Sequence, residues 1–314
     1  MAKLWKLRAF GAKTETVQNS VAALSASDYI GAMDFTITPV VEQISDEQVR
    51  TVLGSPPNIP GKKNYDVTAQ WKLKGAGSAG SMLTGVDALF YACALSGSVV
   101  GGTSVTYKPT SVTPSGFETP AKTCTVVGNY QGLHHSVAGV AGSLKMSFAA
   151  GQPIIVDFSG KGLWSSCTDT QLPSGSYGST VAPIVQSIQF QIGNYQFTAD
   201  KFEFDLGNSL QMYDGVNSAH GVAFMGVTDR NPVGSFSAKA VNVAEHDFFG
   251  RMENGTVASG SILVGVSNGN KFQFLFTSIQ YSNVQYANKN GFIDVQATLK
   301  FNDTADNWLT LIAL

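Results

Sequence analysis

Two short glycine motifs have the residue types and spacing of loops that carry out chemistry in other proteins. The first is GAGSAG, residues 75–80, which matches the glycine pattern of a dinucleotide-binding loop between a strand and a helix. Such a site also needs a parallel sheet and an acidic residue about 20 positions later to hold the ribose. Residues 92–106 contain no Asp or Glu. We therefore interpret the segment as a flexible strand-to-helix loop and keep a nucleotide-dependent enzyme as an alternative.

The second motif is GVSNG, residues 265–269, which matches the loop that presents a nucleophilic serine in many hydrolases. That chemistry requires the serine, here Ser267, on a sharp turn from a strand into a helix. The residues that follow are KFQFLF, which alternate as in a strand. The pattern therefore predicts that Ser267 lies in a hairpin turn.

The other titratable residues lack the spacing of a metal or acid–base site. Adjacent His134 and His135 would point to opposite faces of a strand, and we expect packing or solvent-facing roles for His134, His135, His220 and His246. A small acidic cluster has a lysine within it, which indicates a solvated strand: Asp200, Lys201, Glu203 and Asp205. We expect no cofactor, no metal and no catalytic residue, and hence no enzyme.

The cysteines and the apolar residues indicate where the chain is made. Cys93, Cys124 and Cys167 have neither metal-ligand spacing nor an even count, so we expect them to be reduced. The N-terminal stretch MAKLWKLRAFGAKTE contains no apolar run of the kind found in a signal peptide, and no uncharged apolar run is long enough for a membrane-spanning helix. We expect synthesis in a cytosol and no membrane span.

The composition is typical of an all-β protein whose surface is covered by other copies of itself. Only 13% of the 314 residues are charged, and 33 are glycine. A soluble monomer normally relies on charged side chains for its solubility, so low charge indicates covered surface. The net charge of −2 excludes the basic footprint of tight nucleic-acid binding.

Alternating and helical patterns predict a mainly β fold with two helices. AMDFTITPVV alternates Met33, Phe35 and Ile37 with polar residues, and GFIDVQATLKF alternates strictly near the end of the chain. One helix is predicted within SMLTGVDALFYACALSG, stopped by Gly97, and a shorter one within VAEHDFFGRMENG. A GN turn at residues 193–194, preceded by Ile188, Phe190 and Ile192, predicts a compact hairpin.

Two hairpin patterns indicate an internal duplication. Residues 142–160 and 260–278 place apolar side chains at six matching positions, and a one-residue slip would turn all six to the opposite face. The alternative is two unrelated hairpins under common strand rules. The matching positions are Leu144, Met146, Phe148, Ile154, Val156 and Phe158 in the first copy and Ile262, Val264, Val266, Phe272, Phe274 and Phe276 in the second.

Loops and polar stretches divide the chain. Residues 1–27 are polar with scattered basic side chains and predict an arm, and residues 165–183 have no periodicity and predict a linker. The expected domains are residues 28–164 and 184–314. A long proline-containing loop is predicted at residues 43–64, and loops of this length are usually functional or disordered.

The stretch from Val105 to Trp164 resembles the tail tube (major tail) proteins of long-tailed bacteriophages. The resemblance rests on VTYKPTS, on GVAGSLKMSFAAGQPIIVDFSGKGLW, and on DRNPVGSF through EHDFFGRMENGTVASGSILVGV in the second half. It implies a mainly β fold of two tandem β-sandwich, barrel-like tube domains, each with one flanking helix.

In function, the resemblance implies a structural virion protein of the phage tail, assembled in the bacterial host cytoplasm and leaning to the long non-contractile tail type. Its copies would form stacked rings around a hollow, acidic lumen through which double-stranded DNA is ejected without specific binding. Two domains per chain imply trimeric rings with pseudo-sixfold symmetry, and a hexamer of chains remains open. The implied partners are further copies of the chain and the tape-measure, tail terminator and distal tail proteins.

The resemblance also implies contacts between subunits or rings through the arm and the long loop. These contacts would involve basic residues of the arm and charged residues of opposite sign in and after the loop: Lys3, Lys6, Arg8, Asp46, Glu47, Arg50, Lys62 and Lys63. A β-sandwich adhesin or receptor-binding module of the virion surface is the other alternative, with loops 98–120 and 165–183 as its binding patch.

Overall fold

The computed structural model describes residues 2–186 and 189–314 and is mainly antiparallel β, with 52% of residues in strands and 7% in helices. In the first half of the chain the strands are β1 (Arg8–Thr14), β2 (Tyr29–Ile30), β3 (Ala32–Ile44), β4 (Ile59–Lys72), β5 (Leu95–Val100), β6 (Ser104–Pro109), β7 (Cys124–Tyr130), β8 (Leu133–Ala149), β9 (Ile155–Leu163) and β10 (Thr168–Asp169). In the second half they are β11 (Gln189–Ile192), β12 (Tyr195–Gln196), β13 (Ala199–Asp205), β14 (Asn208–Asp214), β15 (Val222–Arg230), β16 (Val233–Lys239), β17 (Val257–Val264), β18 (Phe272–Lys289), β19 (Phe292–Phe301) and β20 (Leu309–Ala313). The α-helices are α1 (Thr84–Ala92) and α2 (Phe248–Glu253), and two short 3-10 turns, Ala26–Asp28 and Ala219–Gly221, make up the rest of the helical fraction.

The predicted mainly β fold with two helices is confirmed. The AMDFTITPVV pattern forms part of β3, the GFIDVQATLKF pattern forms β19, and the GN turn joins β11 to β12. Phe35 and Ile37 of β3 and Val295, Ala297, Leu299 and Phe301 of β19 are buried because one face of the sheet packs on the core, whereas Met33 and Ile293 are exposed. Ile188 lies outside the described residues, as do Met1 and Ser187.

Eight strands from both halves form one continuous antiparallel sheet, which we call the inner sheet. Its order is β3-β4-β9-β8-β13-β16-β19-β18. The halves meet where Lys145–Ala149 of β8 pairs with Lys201–Asp205 of β13. A single apolar cluster, rich in phenylalanine, runs behind the sheet through both halves of the chain.

A second layer covers the core in each half, and in each half one long strand takes part in both layers: β8 in the first half and β18 in the second. In the first half β1 pairs with β7, and β7 pairs with the N-terminal part of β8, while the C-terminal part of β8 belongs to the inner sheet. In the second half β11 pairs with β17, and β17 pairs with the N-terminal part of β18. Each half is therefore a β-sandwich with the same strand order.

The registers of the inner strands support an internal duplication. Phe35 of β3 pairs with Ala69 of β4, and in the second half Phe202 of β13 pairs with Phe236 of β16. The first pair of strands has a β-bulge between residues 32 and 34, and the second has one between residues 199 and 201. One constant offset along the chain relates the paired residues and the bulges alike. Bulges are specific features of a strand pair, so a shared bulge is stronger support than shared alternation.

The duplication is shifted by one strand from the alignment that the sequence suggested. Both hairpins exist, but the first is β8–β9 and the second is β17–β18. By their neighbours in the sheets, β8 and β9 correspond to β18 and β19. The sequence alignment was therefore wrong, because consecutive antiparallel strands of a sandwich share the same alternation.

Three further expectations differ from the structure. Residues 8–14 of the predicted arm form the core strand β1, with Phe10 and Ala12 buried. The predicted loop 43–64 shrinks to residues 45–58, because β3 and β4 extend as a hairpin beyond the sheet. The first helix ends at Ala92, and Gly97 lies in β5 rather than at the helix end.

The two glycine motifs contact each other where the halves of the chain meet. Gly77 N donates to Gly269 O at 3.0 Å, and Gly75 N donates to the side-chain oxygen of Asn270 at 2.8 Å. Ser267 lies in the turn between β17 and β18, as predicted. A Cβ added at Gly75 would collide with Gly269 O. The glycines of residues 75–80 thus permit close backbone packing, and the space beside Gly75 is occupied by protein.

His246 packs in the core of the second half, in agreement with the expected packing role. Its ring nitrogen Nε2 lies 3.0 Å from the hydroxyl of Tyr281, and the ring packs against Phe248. Burial, together with the positive charge of Arg251, lowers the pKa of His246 to about 4. The folded chain therefore holds this imidazole neutral at pH 7.

We predict that Gly75→Ala destabilises the protein by roughly 1 to 3 kcal/mol, the usual cost of overpacking, because the new methyl group collides with the Gly269 backbone. Gly101→Ala is the matched control, since a Cβ there meets nothing within 4 Å. Urea unfolding followed by tryptophan fluorescence measures both variants. Equal stability of the two variants would contradict the close packing of the two motifs.

We also predict that acid weakens the fold through His246. Since its pKa is lower in the folded chain than in the unfolded chain, the unfolded chain takes up the proton first, near pH 6.5. This contribution is complete above pH 6.5 and is lost as the pH falls toward 4. Between pH 7 and pH 5 the loss should be roughly 1 to 2 kcal/mol.

The measurement is urea unfolding of the wild type and His246→Gln at both pH values. Burial also lowers the pKa of His134 and of His135, so only the difference between the two proteins reports on His246. A pH dependence that is unchanged in His246→Gln would contradict the assignment.

Candidate functional site: two open sheet edges and a polar face

The inner sheet ends in two strand edges that pair with no strand among the described residues. β3 pairs with β4 on one side only. In β18, residues 281–289 pair with β19 on one side, while β17 ends its pairing at Gln280 on the other. Open edges expose backbone donors and acceptors that can pair with another chain.

The chain contains a filled version of this arrangement at its own centre. β8 corresponds to β18, and its edge is occupied by β13; β13 in turn corresponds to β3. The contact is antiparallel, with Met146 opposite Phe204 and Phe148 opposite Phe202. The open edge of β18 is therefore equivalent to the edge of β8 that binds β13, and the open edge of β3 is equivalent to the edge of β13 that binds β8. Within one chain, β18 and β3 do not pair with each other.

Side chains of the same chain cover the backbone groups along the open edge of β3. The guanidinium of Arg8 donates to Phe35 O at 3.3 Å, and Asp34 Oδ1 accepts from Phe35 N at 2.9 Å. Ile37 N donates to the hydroxyl of Tyr130 at 3.1 Å. These hydrogen bonds reduce the tendency of the edge to pair with any available strand.

The Arg8 side chain, which covers Phe35 O, is held in place by an ion pair and an aromatic contact. Arg8 Nη2 lies 2.9 Å from Asp34 Oδ1, and the guanidinium lies 4.0 Å from the ring centre of Trp5. Two positions after Ile37, Pro39 has no N–H to offer the edge. The edge of β3 is thus protected by an ion pair, a cation–π contact and a proline.

The open edge of β18 borders an apolar groove. The groove has a volume of about 1220 Å³ and is lined by the segment after β16 and by the β18–β19 turn. Tyr286, Phe292 and Ile293 are exposed in it, and Tyr286 packs on Phe249 from one side only. Glu245 and Lys289 line the same groove. An exposed apolar groove with a polar rim is typical of a protein contact surface.

The inner sheet carries a polar face opposite the core. Ser, Thr, Asn and Gln side chains alternate there with charged residues, and two grooves of about 470 and 230 Å³ lie on it. Acidic and basic groups balance on this face. They are Asp34, Asp66, Asp157, Asp200, Glu203, Asp205 and Asp294 against Lys72, Lys145, Lys161, Lys201, Lys239, Lys289 and Lys300.

Ion pairs tie several of these charges together. Glu203 lies 2.7 Å from Lys201 and 3.3 Å from Lys145, and the Ser147 hydroxyl donates to it at 3.0 Å. Burial raises the pKa of Glu203, but the hydrogen bonds from Lys201 and Ser147 outweigh burial and lower the pKa overall. The acidic cluster that the sequence indicated is therefore a set of ion pairs on a solvated strand face.

A second group of ion pairs lies near the open edge of β18. Lys289 Nζ lies 2.5 Å from Asp200 and 3.7 Å from Asp294. The hydrogen bond to Asp200 raises the pKa of Lys289. Burial raises the pKa of Asp200, but the hydrogen bond and the positive charge of Lys289 lower it overall. Lys289 is therefore already paired with two carboxylates of its own chain.

Arg230, at the end of β15, joins the two halves away from the sheet edges. It is largely buried, donates to Ala94 O at 3.1 Å in the first half, and lies 3.7 Å from Asp306 and 3.9 Å from Asp303 in the second half. Burial lowers its pKa, while the two carboxylates oppose that effect. This junction, together with β8–β13, fixes how the halves sit against each other.

The charged residues that the resemblance suggested do not form one site. Lys3 donates to Gln131 O and Arg8 pairs with Asp34. Lys62 pairs with Asp214 of β14, and Lys63 lies 5.6 Å from the ring centre of Trp164. Lys6 is exposed at the arm, whereas Asp46, Glu47 and Arg50 lie in the exposed loop 45–58.

The sequence did not reveal the open edge of β18. Its signal was present in the pattern, because Tyr286 and Ile293 occupy positions that alternation assigns to the core. Only the strand order shows that no strand covers them. Among residues 2–186 and 189–314 no three His, Cys, Asp or Glu side chains are grouped as metal ligands, and no helix is long and apolar enough to span a membrane.

The family model described as phage tail tube protein matches residues 5–302, nearly the whole chain. No curated protein matches the chain.

We predict that Tyr130→Phe uncovers the edge of β3. Loss of its hydroxyl removes the acceptor of Ile37 N, so the Ile37 amide should exchange with solvent faster and stability should fall by about 1 kcal/mol. Hydrogen exchange followed by NMR or mass spectrometry measures the first effect, and urea unfolding the second. Tyr213→Phe is the control, because this exposed ring stacks on Phe224 far along the chain from β3. An unchanged exchange rate of the Ile37 amide would contradict the hydrogen bond from Ile37 N to the Tyr130 hydroxyl.

Proposed function

Since the chain belongs to the phage tail tube protein family, we propose that its copies close into rings that stack into the hollow tube through which phage DNA is ejected. Membership of this family makes the chain a structural protein of the phage tail that self-assembles. The observation that supports the ring is the pairing of β8 with β13, which joins two equivalent sheets side by side within one chain.

We infer that the two halves are tandem tube domains, residues 28–164 together with β1, and residues 184–314. The shared strand order and the shared bulge support this division. Residues 165–183 connect them.

In the proposed ring, the open edge of β18 pairs with the open edge of β3 in the next copy. Using the β8–β13 register as the template, Tyr286 would lie opposite Ile37, Gln285 opposite Thr38 and Lys289 opposite Asp34 of that copy. The last pair brings opposite charges together. Each copy thus uses one surface to bind the next and a different surface to be bound, and such a heterologous contact closes into a ring when the rotation allows.

The number of strands favours three chains per ring. Three chains supply twenty-four inner strands, and with about 4.8 Å between strands and a tilt of about 40° these close a barrel roughly 50 Å across. Six chains would give a barrel of roughly 100 Å by the same geometry. Three chains with two similar domains each give pseudo-sixfold symmetry, and the smaller barrel already accommodates duplex DNA.

We propose that the polar face of the inner sheet lines the channel. Its lysines are matched by carboxylates and several are held in ion pairs, so they offer few free cations to phosphate groups. Such a surface would let DNA pass without binding it. It is balanced in charge, and so the acidic lumen that the resemblance implied is not supported for this face.

The remaining contacts follow from the proposed tube. The exposed loop 45–58 and the arm would reach a neighbouring subunit or the next ring, with Asp46, Glu47 and Arg50 available for ion pairs. The tape-measure, tail terminator and distal tail proteins would meet the inside and the two ends of the tube. The assembled protein would reside in the virion tail after synthesis in the host cytoplasm.

The test is negative-stain electron microscopy and analytical ultracentrifugation over a range of concentrations, with Asn288→Pro as the edge variant. By the alternation in β8, where Leu144 O accepts from Leu206 N of the segment after β13, Asn288 N points to the open edge of β18. Proline removes that donor while the ladder to β19 stays intact. We expect the wild type to form rings or tubes and Asn288→Pro to need at least about tenfold higher concentration, equivalent to about 1.4 kcal/mol.

Asn288→Ala is the matched control, because it loses the same side chain, including its bond to Gly291 N, but keeps the backbone donor. Circular dichroism verifies that both variants fold. Wild-type protein that stays monomeric at all concentrations, or an Asn288→Pro variant that assembles like Asn288→Ala, would contradict the proposed junction.

A further inference from the structure

We propose that Leu4 and Trp5 of one copy fill the apolar groove beside β18 of the next copy, which rests on the ring proposed above. Within the chain, the equivalent segment of the second half, Ile184 and Val185, already packs beside the β8–β13 junction.

The segment before β11 corresponds to the arm before β1. β1 and β11 both pair along the outer layer, with Ala9 opposite Asn129 and Gln189 opposite Leu263. When these two strands are aligned, the buried Phe10 corresponds to the buried Phe190. In the same alignment Leu4 corresponds to Ile184 and Trp5 corresponds to Val185.

Ile184 and Val185 lie at the end of the junction between β8 and β13, where the side chain of Val185 is buried and that of Ile184 is half exposed. Val185 N donates to Gln152 O at 2.8 Å, Gly151 N donates to Val185 O at 2.9 Å, and Ile184 forms a β-bridge with Pro153. These contacts hold the segment on the turn that follows β8. The side chain of Val185 is buried there as part of the core cluster.

The groove beside β18 is the same place in the second half, without its cover. Leu73 N donates to Ile154 O, and at the equivalent point after β16 Ala240 N donates to Ile293 O, so Ile154 corresponds to Ile293. Ile154 is 0% exposed and Ile293 is 64% exposed. Met146 and Tyr286, which pair with Val156 and Val295, are 1% and 65% exposed. Side chains that are buried in the first half are open in the second.

The arm presents the matching groups. Trp5 is 67% exposed and Leu4 is 61% exposed. Lys6 follows them, and Glu245 lies in the groove, so the charges are complementary. Burying a leucine and a tryptophan side chain in a groove of about 1220 Å³ removes apolar surface from water on both partners.

The position of the arm agrees with this contact. Trp5 lies beside Ala32–Asp34, the start of the β3 edge that would pair with β18 of the neighbouring copy. In the filled junction, the segment at Val185 is likewise next to the start of β13, where Ala150 N donates to Asp200 O. The groove contact is therefore a continuation of the strand junction at its end.

The experiment is disulfide trapping in assembled protein. Since Ile184 bridges Pro153, which corresponds to Phe292, Leu4→Cys and Phe292→Cys are combined. The background is Cys167→Ser, because Cys93 and Cys124 are buried and Cys167 is exposed. Val17→Cys with Phe292→Cys is the matched control, because Val17 is exposed but lies beside Gly116 of its own chain. After oxidation, non-reducing gels should show covalent dimers and trimers for the first pair and monomers for the control.

Electron microscopy of the same samples separates the two proposals. Rings or tubes with no covalent product from the Leu4–Phe292 pair, or with equal product from the control pair, would overturn the groove contact while the ring proposal stands. Protein that forms no ring or tube at any concentration would overturn the ring proposal and this contact with it.

A second variant measures the contact without a cross-link. Leu4→Ala should raise the concentration required for assembly about tenfold while leaving the unfolding midpoint of the monomer nearly unchanged, because the Leu4 side chain is mostly exposed in the free chain. Val17→Ala is its control. Assembly of Leu4→Ala at the wild-type concentration would contradict the inference.

Discussion

The pairing of β8 with β13 is the interaction on which the rest of the structure depends. It converts two four-stranded units into one sheet, and it places Phe148, Phe202 and Phe204 in a single aromatic core behind that sheet. The same geometry determines what is left over. Because β8 and β13 pair only once within a chain, the equivalent strands β18 and β3 are left with open edges at the two ends of the inner sheet. These two edges are complementary because they have the same relation to each other as β8 and β13.

The sequence predicted the parts of the fold that depend on local pattern. Strict alternation located β3 and β19, and the helical period located α1 and α2. It failed where the signal is not local. β1 is short, contains Gly11 and is flanked by basic residues, so its burial depends on pairing with β7, which is distant in the sequence.

The candidate site was less accessible to sequence reasoning for the same physical reason. Charged residues such as Lys62 and Arg8 attract attention, yet both are paired within the chain. The open edges are defined by which strands are absent from them, and an alternating pattern in β18 does not show whether Tyr286 has a neighbour. The repeat itself was visible, but strands of one sandwich resemble one another too closely for alternation to fix its register.

The side-chain caps on β3 also have a consequence for the time course of polymerisation. Arg8, Asp34 and Tyr130 must release Phe35 and Ile37 before a strand can pair there, so each encounter between two free chains begins with hydrogen bonds to break. The hydrogen bonds to these side chains are replaced by hydrogen bonds to the incoming strand, so the free energy of pairing changes little. The need to break the first set before the second forms raises mainly the activation barrier to association. A growing end that holds β18 rigidly in register would cross that barrier more often than two diffusing chains. Growth would then outpace spontaneous nucleation, and a pool of free subunits could persist until a template for the first ring is available.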